Sequence, residues 1–207
     1  MNYFKTLVCL VALVAFYASP AWAKLPPNLM PYAYMEPAEF EGTWYELGLV
    51  PYFFEKKCEK NPIVKYTLLP KKNDRERDTF IDYFECDRRD KKQINTGRLR
   101  VSETQSNTIL SATFLNLLGW RYWFGDNYII LDINEKEQTA VIGSPKQKLA
   151  WLFRRQPKLT PKIAHDTIAL LKRNGYQTPC SMVLMPHDKG ELSTKMSICQ
   201  FLETNNP

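Results

Sequence analysis

Eight short β-type segments follow one another along most of the chain, and they set the strongest limit on its fold. Each is rich in β-branched and aromatic residues, and turn-forming or charged residues separate it from the next. The segments are residues 43–50, 63–69, 79–86, 97–103, 108–115, 127–132, 139–143 and 149–154. Such a series predicts an all-β fold, an eight-stranded up-and-down antiparallel barrel, and disfavours a sandwich or a parallel sheet. A barrel of about eight strands has room inside for one small ligand.

The first and last segments carry residues suited to closing one end of a barrel. Gly42 and Trp44 begin the first strand, and Arg155 follows the last. A large indole can lie across the end while a guanidinium stacks on it and donates to nearby carbonyl groups. We therefore assign Gly42, Trp44 and Arg155 a structural role at the barrel floor.

These floor residues also predict which neighbours face the interior, because side chains alternate between the two faces of a strand. The positions of matching phase are Trp151 and Phe153 on the last strand and Glu46, Gly48 and Val50 on the first. An inner wall of aromatic residues beside a small glycine offers apolar contact and space. We expect these residues to contact a ligand.

The fifth segment adds three candidates for the interior. Leu110, Ala112 and Phe114 share one strand phase, and we expect them to line the cavity. In a second interpretation the same three residues face outward beneath a helix. Strand phase alone leaves both interpretations open.

One helix is predicted after the last strand, packed outside the barrel. Thr160 is a favourable N-cap, Pro161 fits the first helical position, and Gly175 suits a left-handed C-cap. The predicted organisation is an extended N-terminal segment at 24–39, the barrel and helix at 40–186, and a polar tail at 187–207 that Cys199 tethers.

The first 23 residues have the pattern of a cleaved export signal. Lys5 precedes an apolar run at 7–17, and an A-x-A site ends at Ala23. The run is too short for a spanning helix, which needs about 20 residues. Cys9 lies near the start of this run, which is too early for a lipidated cysteine, so we predict no lipid anchor. The expected location is the periplasm or the extracellular space.

A series of motifs runs through residues 40–185. It comprises the Gly42-x-Trp44 box, PYFFEKKC at 51–58, VKYTL at 64–68, YIILD at 128–132, VIGSP at 141–145, and LAWLF at 149–153 before Arg155 and Pro157. In this order and with these gaps, the motifs resemble those of the lipocalins, and most closely the bacterial lipocalins that group with animal apolipoprotein D.

This resemblance implies a barrel that binds a small hydrophobic ligand. The residues matching the cavity lining of the family are Tyr66, Trp151 and Phe153. The Tyr66 hydroxyl would donate to a ligand carboxylate or carbonyl, or else to a backbone carbonyl.

Four cysteines remain after the expected cleavage, which in an exported chain indicates two disulfides. Cys58 and Cys86 flank a predicted hairpin, and Cys180 and Cys199 bracket the C-terminal segment. These positions favour the pairs 58–86 and 180–199. The alternative is a bridge from Cys58 to Cys199, as in some animal lipocalins. A metal site is not expected, because neither histidine lies at a ligand spacing from a cysteine.

Residues 114–124 (FLNLLGWRYWF) are unusually apolar for a connection between strands. In one interpretation Leu115, Leu117 and Leu118 pack as core beneath a loop. In the other, the segment is a lipid-facing rim of the barrel mouth, where Arg121 would meet head groups. This second interpretation would give the protein a peripheral membrane contact.

The leading functional hypothesis is a non-catalytic carrier. The ligand would be a fatty acid, a lysophospholipid or a similar small hydrophobic molecule, moved or stored during envelope lipid maintenance. No cofactor is expected. The chain is basic, with a net charge of +6, but the charges alternate in sign at 71–78, a pattern typical of a solvated turn. We therefore expect no nucleic-acid partner.

Two other classes of function remain open from the sequence. An enzyme would need Cys58 or Cys86 as a free thiolate, or an inward histidine near an acid, and neither histidine falls in a barrel strand. A secreted interaction module would capture a partner protein or a coloured ligand with its charged loops.

Overall fold

The main sheet closes on itself as a barrel. A computed structural model describes residues 25–50, 55–125 and 127–205. The barrel strands are β1 (Gly42–Leu49), β2 (Lys60–Leu68), β3 (Thr79–Arg88), β4 (Lys91–Val101), β5 (Ile109–Thr113), β6 (Tyr128–Asn134), β7 (Thr139–Gly143) and β8 (Ala150–Arg154). Each pairs antiparallel with the next, and β1 also pairs with β8. The predicted eight-stranded antiparallel barrel is confirmed.

Two expectations fall on residues that the structure does not describe. The export signal predicted at 1–23 lies outside the described residues, as do positions 51–54 of the motif at 51–58. Among the described residues, no helix combines the length and the apolar character needed to cross a bilayer.

The helix expected after the barrel is present as α2 (Pro161–Arg173). Its start follows the predicted chemistry, since the Thr160 hydroxyl accepts a hydrogen bond from the Ile163 amide at 3.3 Å. Past its end, Gly175 has a φ of +80°, the left-handed conformation that glycine adopts without strain. A single turn of helix before β1, α1 (Pro37–Phe40), leads into the barrel floor.

The C-terminal segment differs from the expected polar tail. The short strand β9 (Val183–Leu184) precedes this tail, and the tail itself contains the strand β10 (Met196–Ser197) and the helix α3 (Ile198–Asn205). The buried residues of α3 are Ile198, Phe201 and Leu202, a helical spacing within an otherwise polar stretch. This short apolar stripe packs α3 in the cluster that α2 forms outside the barrel.

Both disulfides have the pairing favoured from the sequence. Cys58 bonds Cys86 with a Cα–Cα distance of 5.6 Å, and Cys180 bonds Cys199 with 5.3 Å. The first links the connection after β1 to β3 near the barrel mouth. The second holds α3 against the turn that follows α2. The alternative bridge from Cys58 to Cys199 is therefore not formed.

Apolar residues form two separate cores, one on each side of the barrel wall. The inner core includes Phe40, Tyr66, Phe80 and Phe153, and we call the interior of the barrel, where these side chains lie, the lumen. The outer core includes Leu47, Leu152, Ile163 and Leu171, where α2 covers the outside of the sheet. Burial of both strand faces here explains why β7 is buried at every position.

Candidate functional site

The floor of the lumen has the arrangement predicted from the sequence. The Arg155 guanidinium carbon lies 3.7 Å from the centre of the Trp44 ring system. The same guanidinium donates to the carbonyl oxygens of Glu39 at 2.8 Å, Glu41 at 2.7 Å and Thr43 at 3.0 Å. These contacts join α1, β1 and β8, so they close the end of the barrel rather than present groups to a ligand.

Gly42 is needed at this corner for two reasons. Its φ of +100° is strained for other residues, and a Cβ there would lie 3.1 Å from Arg155 Nη1. Above the guanidinium, the Trp44 ring N–H donates to the Phe40 carbonyl at 2.9 Å. Phe40 in turn stacks on Tyr66 with a centroid distance of 5.0 Å. The floor is therefore a continuous aromatic layer.

A second aromatic group lies further along the lumen wall. The hydroxyl oxygens of Tyr66 and Tyr128 are 2.7 Å apart and share a hydrogen bond. Tyr128 stacks on Trp151 with a centroid distance of 6.1 Å. The Tyr66 hydroxyl is thus bonded to a side chain rather than to a backbone carbonyl, and a hydrogen bond from it to a ligand stays a prediction. Tyr128 was missed as a lining residue because nothing in its own strand indicated which face turns inward.

Three carboxylic acids also belong to the lumen, and only one of them was expected there. Glu46 lies on β1, Asp82 on β3, and Glu55 on the turn before β2, and all three are buried. The carboxylate oxygens of Glu55 lie 3.3 Å from the Trp151 ring nitrogen, which donates to them. The alternation of β3 indicates the position of Asp82, because it shares the inward phase of Phe80 and Phe84.

Burial changes the acidity of all three groups. Desolvation raises the pKa of Asp82 to about 7. It also raises the pKa of Glu55 to about 7, with the Trp151 N–H opposing and the nearby Asp82 adding to the rise. The pKa of Glu46 stands well above its ordinary value, first through desolvation and then through the charges of Glu55 and Asp82. Glu55 and Asp82 therefore titrate near neutral pH.

Most of the predicted lining residues lie on the inner side of the barrel wall, and their contact with a ligand stays a prediction. Glu46, Tyr66, Trp151 and Phe153 belong to the lumen, as do Leu110 and Ala112, whose outward interpretation is wrong. Phe153 is paired across the strands with Glu46. The structure thus brings together residues from β1, β2, β5 and β8 on one inner wall.

Two predicted lining residues on β1 face the other way because of a β-bulge. Glu46 pairs with Phe153, but the next residue paired with β8 is Gly48, opposite Leu152. Leu47 is thus an extra residue in β1, and it lies in the outer core. An inserted residue reverses the alternation beyond it.

Gly48 and Val50 are therefore corrected from inward to outward. A Cβ on Gly48 would lie 3.0 Å from the Met182 sulfur, beside a side chain of the outer core. Val50 packs against the same outer core, whereas Leu49 between them lies in the lumen. The regular alternation of inward and outward side chains along β1 holds only as far as Glu46. The sequence did not reveal the bulge, because a bulge has no strong sequence signal.

Phe114 lies at the mouth of the lumen, partly exposed. It follows β5 and occupies the space next to Gly97, where a Cβ would lie 2.8 Å from the Phe114 ring. Gly97 is paired with Asp82 on β3, so this ring stands near the inward face at that level. The absence of a side chain at Gly97 makes room for it.

The loop at 114–125 is exposed rather than packed as core. The exposed fractions are 98% for Leu118, 69% for Trp123, 67% for Phe124 and 63% for Leu117. The core interpretation of Leu117 and Leu118 is therefore wrong, and Leu115, which is partly buried, belongs to neither apolar core. We call these four residues the apolar rim.

Two aromatic residues of the loop anchor it to the outer surface of β4. The guanidinium of Arg98 lies 4.7 Å from the Trp120 ring centre, and that of Arg100 lies 3.9 Å from the Tyr122 ring centre. Arg121 donates to the carbonyls of Leu117 and Leu118 at 3.3 Å each. The apolar rim is thus held on a structured loop that carries the Arg121 guanidinium and packs on those of Arg98 and Arg100 from β4.

Two clefts on the outside of the barrel are distinct from the lumen. One, of about 210 Å³, lies between α2 and the strands β6 and β7. The other, of about 580 Å³, lies below the floor, with Trp44 and Arg155 in its wall. Neither is lined by Glu46, Glu55 or Asp82, so neither belongs to the candidate site.

Comparison with solved structures supports the fold assignment. The chain is similar to the major allergen Per a 4 from cockroaches, with 12% identity and a TM-score of 0.53, over 77% of this chain and 92% of that one. It is also similar to insecticyanin from the tobacco hornworm Manduca sexta, with 14% identity and a TM-score of 0.50, over 77% of this chain and 85% of that one. At these identities the likeness concerns the fold alone.

Sequence comparison assigns the family. No curated protein matches the sequence significantly. The profile of the family described as "Lipocalin-like domain" matches residues 36–185, which include the floor, the whole barrel, α2 and β9. On this match and on its closed eight-stranded barrel, the chain belongs to the lipocalin-like family.

Proposed function

We propose that the protein is an exported carrier that binds one small amphiphilic molecule in the lumen and stores or moves it during envelope lipid maintenance. The ligand class expected from the sequence is a single-chain lipid, such as a lysophospholipid or a fatty acid. The observation that carries the proposal is the aromatic inner wall of Tyr66, Tyr128, Trp151 and Phe153 above a closed floor. The lipocalin fold is typical of carriers of small hydrophobic ligands and is generally non-enzymatic.

Apolar burial would supply the affinity. Each methylene group that moves from water into the lumen contributes about 0.8 kcal/mol before the cost of ordering the chain. A closed floor sets a limit to chain length, because the layer of Trp44 and Phe40 blocks passage through the barrel. The polar end of the ligand would therefore lie near the mouth or beside the buried carboxyls.

The proposed location rests on the cysteines and on the motifs. Two disulfides indicate an oxidising compartment, either extracellular or periplasmic. The order of motifs that resembles the apolipoprotein D-like bacterial lipocalins, together with the export signal expected at 1–23, supports a role in the cell envelope.

A binding experiment with a blocked lumen tests the carrier proposal. Delipidated protein is titrated with lysophosphatidylcholine, and the fluorescence of the lumen tryptophans is followed. We expect saturable binding that Ala112→Trp abolishes, because Ala112 faces the lumen. Ala169→Trp, at an exposed position of α2, is the matched control and should bind normally. If Ala112→Trp bound lysophosphatidylcholine with unchanged affinity, the ligand would have to bind somewhere other than the lumen.

The apolar rim supports a second part of the proposal, a contact with an anionic membrane surface. Leu118, Trp123 and Phe124 are exposed on a loop that also carries Arg121. Aromatic and aliphatic side chains next to a guanidinium suit the boundary between acyl chains and head groups. Such a contact would place the mouth of the lumen at the source of a lipid ligand. Co-sedimentation with lipid vesicles tests it.

The disulfide at the mouth weighs against the enzymatic alternative. Cys58 and Cys86 are bonded to each other, so neither supplies a thiolate nucleophile. His187 is held outside the lumen, where its ring Nε2 lies 3.0 Å from the backbone oxygen of Glu46. The groups on which a catalytic hypothesis rested are therefore engaged elsewhere.

A further inference from the structure

The lumen contains an acidic cluster that no described cation pairs with. Glu46, Glu55 and Asp82 influence one another electrostatically, and none of them forms an ion pair with a described residue. A buried charge is costly unless a partner neutralises it. The three acids are therefore costly to ionise at this depth, and a bound cation would offset that cost.

Glu46 gives independent evidence that a partner is missing. Its side chain is 1% exposed, and its Oε1 is buried without a hydrogen-bond partner among the described residues. Buried polar atoms in folded proteins are nearly always bonded, and a buried orphan acceptor indicates a group that arrives from outside the chain. An ionised carboxylate only accepts hydrogen bonds, so a cationic donor beside Glu46 would both bond this oxygen and favour its ionised form.

Lys195, a described cation whose charge acts on Glu46, does not satisfy this oxygen. Lys195 lowers the pKa of Glu46 through its charge, but its ammonium group donates to the Cys58 carbonyl. Burial lowers the pKa of Lys195 itself. The acidic cluster therefore keeps a net negative character when its members are ionised.

The spacing of the acids favours an organic cation over a metal ion. Within the described residues, no three His, Cys, Asp or Glu side chains are close enough together to hold a metal. Instead, one of the acids is bonded to an aromatic ring of the lumen wall. The Trp151 ring lies between Glu55, to which it donates, and Tyr128, on which it stacks. Aromatic faces beside carboxylates are suited to ammonium groups, which they attract by cation–π interaction.

We propose that the lumen is a binding site for an organic ammonium ion on an apolar chain, with its N–H groups donating to Glu46 Oε1 and its charge shared by Glu55 and Asp82. The rings of Tyr128 and Trp151 form the wall beside the nitrogen, and the apolar chain fills the rest of the lumen. This inference rests on the proposed carrier function and narrows its ligand class. A long-chain amine fits the site, whereas the carboxylate of a fatty acid is repelled by it.

Three probes of equal chain length test the ammonium site. Dodecylamine, dodecanol and dodecanoate are titrated at pH 8 into delipidated, disulfide-bonded protein by isothermal calorimetry. We expect dodecylamine to bind at least about tenfold more tightly than dodecanol, the effect of one added buried charge pair, and dodecanoate to bind most weakly. Because the three probes have chains of equal length, the apolar contribution to affinity is the same for each and does not affect the differences.

A charge-neutralising variant locates the effect at Glu46. Glu46→Gln keeps the shape of the side chain, and we expect it to lower the affinity for dodecylamine about tenfold while the affinity for dodecanol is unchanged. Glu203→Gln removes an exposed acid of α3 and serves as the control, with no change for either probe. Binding of dodecanol by Glu46→Gln also shows that the variant is folded.

The outcomes separate this inference from the carrier function. Equal affinity for the amine and the alcohol would overturn the ammonium site and leave the carrier function standing. Loss of affinity in Glu203→Gln as large as in Glu46→Gln would show that surface charge attracts the amine, which also overturns it. Absence of binding by all three probes would overturn the carrier function as well.

Discussion

Trp44 is the residue on which the barrel floor depends most. It is 3% exposed, stacks under Arg155 and donates to the Phe40 carbonyl. We expect Trp44→Ala to lower the free energy of unfolding by about 3–5 kcal/mol, because it leaves a cavity and an uncovered guanidinium. Urea denaturation followed by circular dichroism measures this change.

Trp123 offers a matched control for that prediction, because it is the same residue type in an exposed position. Trp123→Ala should alter the free energy of unfolding by no more than about 0.5 kcal/mol. Equal effects at the two positions would contradict the structural role of the floor.

The buried acids make the stability of the ligand-free protein depend on pH. The pKa of Glu55 and that of Asp82 are about 7 when folded, whereas carboxyls of the unfolded chain ionise near about 4. Between these values the folded state binds more protons, so the free energy of unfolding falls as the pH rises. The slope is about 1.4 kcal/mol per pH unit for each such group. We expect a higher Tm at pH 5 than at pH 7.5.

One group opposes this trend, and a variant isolates the acids. Burial lowers the pKa of His187, so its contribution increases with pH, but it is a single group against the three carboxyls. Asp82→Asn should reduce the fall in Tm between pH 5 and pH 7.5, and Glu203→Gln should leave that fall unchanged. A Tm that rises from pH 5 to pH 7.5 in the unaltered protein would contradict the burial of these acids.

For single residues, the sequence predicts a role well when that role depends on the size and charge of a side chain at a known position along a strand. Gly42, Trp44 and Arg155 are of this kind, and their contacts are as expected. Glu55 is not, because its place in the lumen depends on how a connection folds back over the barrel. The inward position of Asp82 could have been predicted, because it shares the strand alternation of the apolar residues of β3.

The observed strands agree with the prediction where inward and outward residues alternate regularly, and they differ from it where a bulge adds one residue. The strands lie within a few residues of the predicted segments, except that β4 starts at Lys91 rather than at Gly97. The bulge at Leu47 moved Gly48 and Val50 out of the lumen. In α3, an apolar stripe was too short to stand out in a polar segment.

The apolar rim is the element whose function is tested most simply. We expect the protein to co-sediment with vesicles of phosphatidylcholine and phosphatidylglycerol, and a change of Leu118→Asp with Trp123→Ser to reduce the bound fraction about tenfold or more. Both side chains are exposed, so folding should be unaffected. The control is Ile94→Ser, an exposed apolar position on β4 outside the rim. An equal loss with Ile94→Ser would contradict a specific rim contact.

For the whole molecule, the sequence predicts the architecture better than the ligand. A closed antiparallel barrel with a helix outside follows from strand spacing and from the helix caps. The chemistry of the lumen depends instead on side chains from β1, β2, β3, β6 and β8 that converge only in three dimensions. The aromatic wall was therefore seen in part from the sequence, and the acidic cluster was not.

The measurement that tests the central claim most directly is native mass spectrometry of protein purified without detergent, with a solvent extract of the same sample. The account predicts one amphiphile bound to each chain, recovered in the extract and absent from Ala112→Trp. A ligand-free mass for the unaltered protein, together with no uptake of added lysophosphatidylcholine, would contradict the assignment of the lumen as a carrier site.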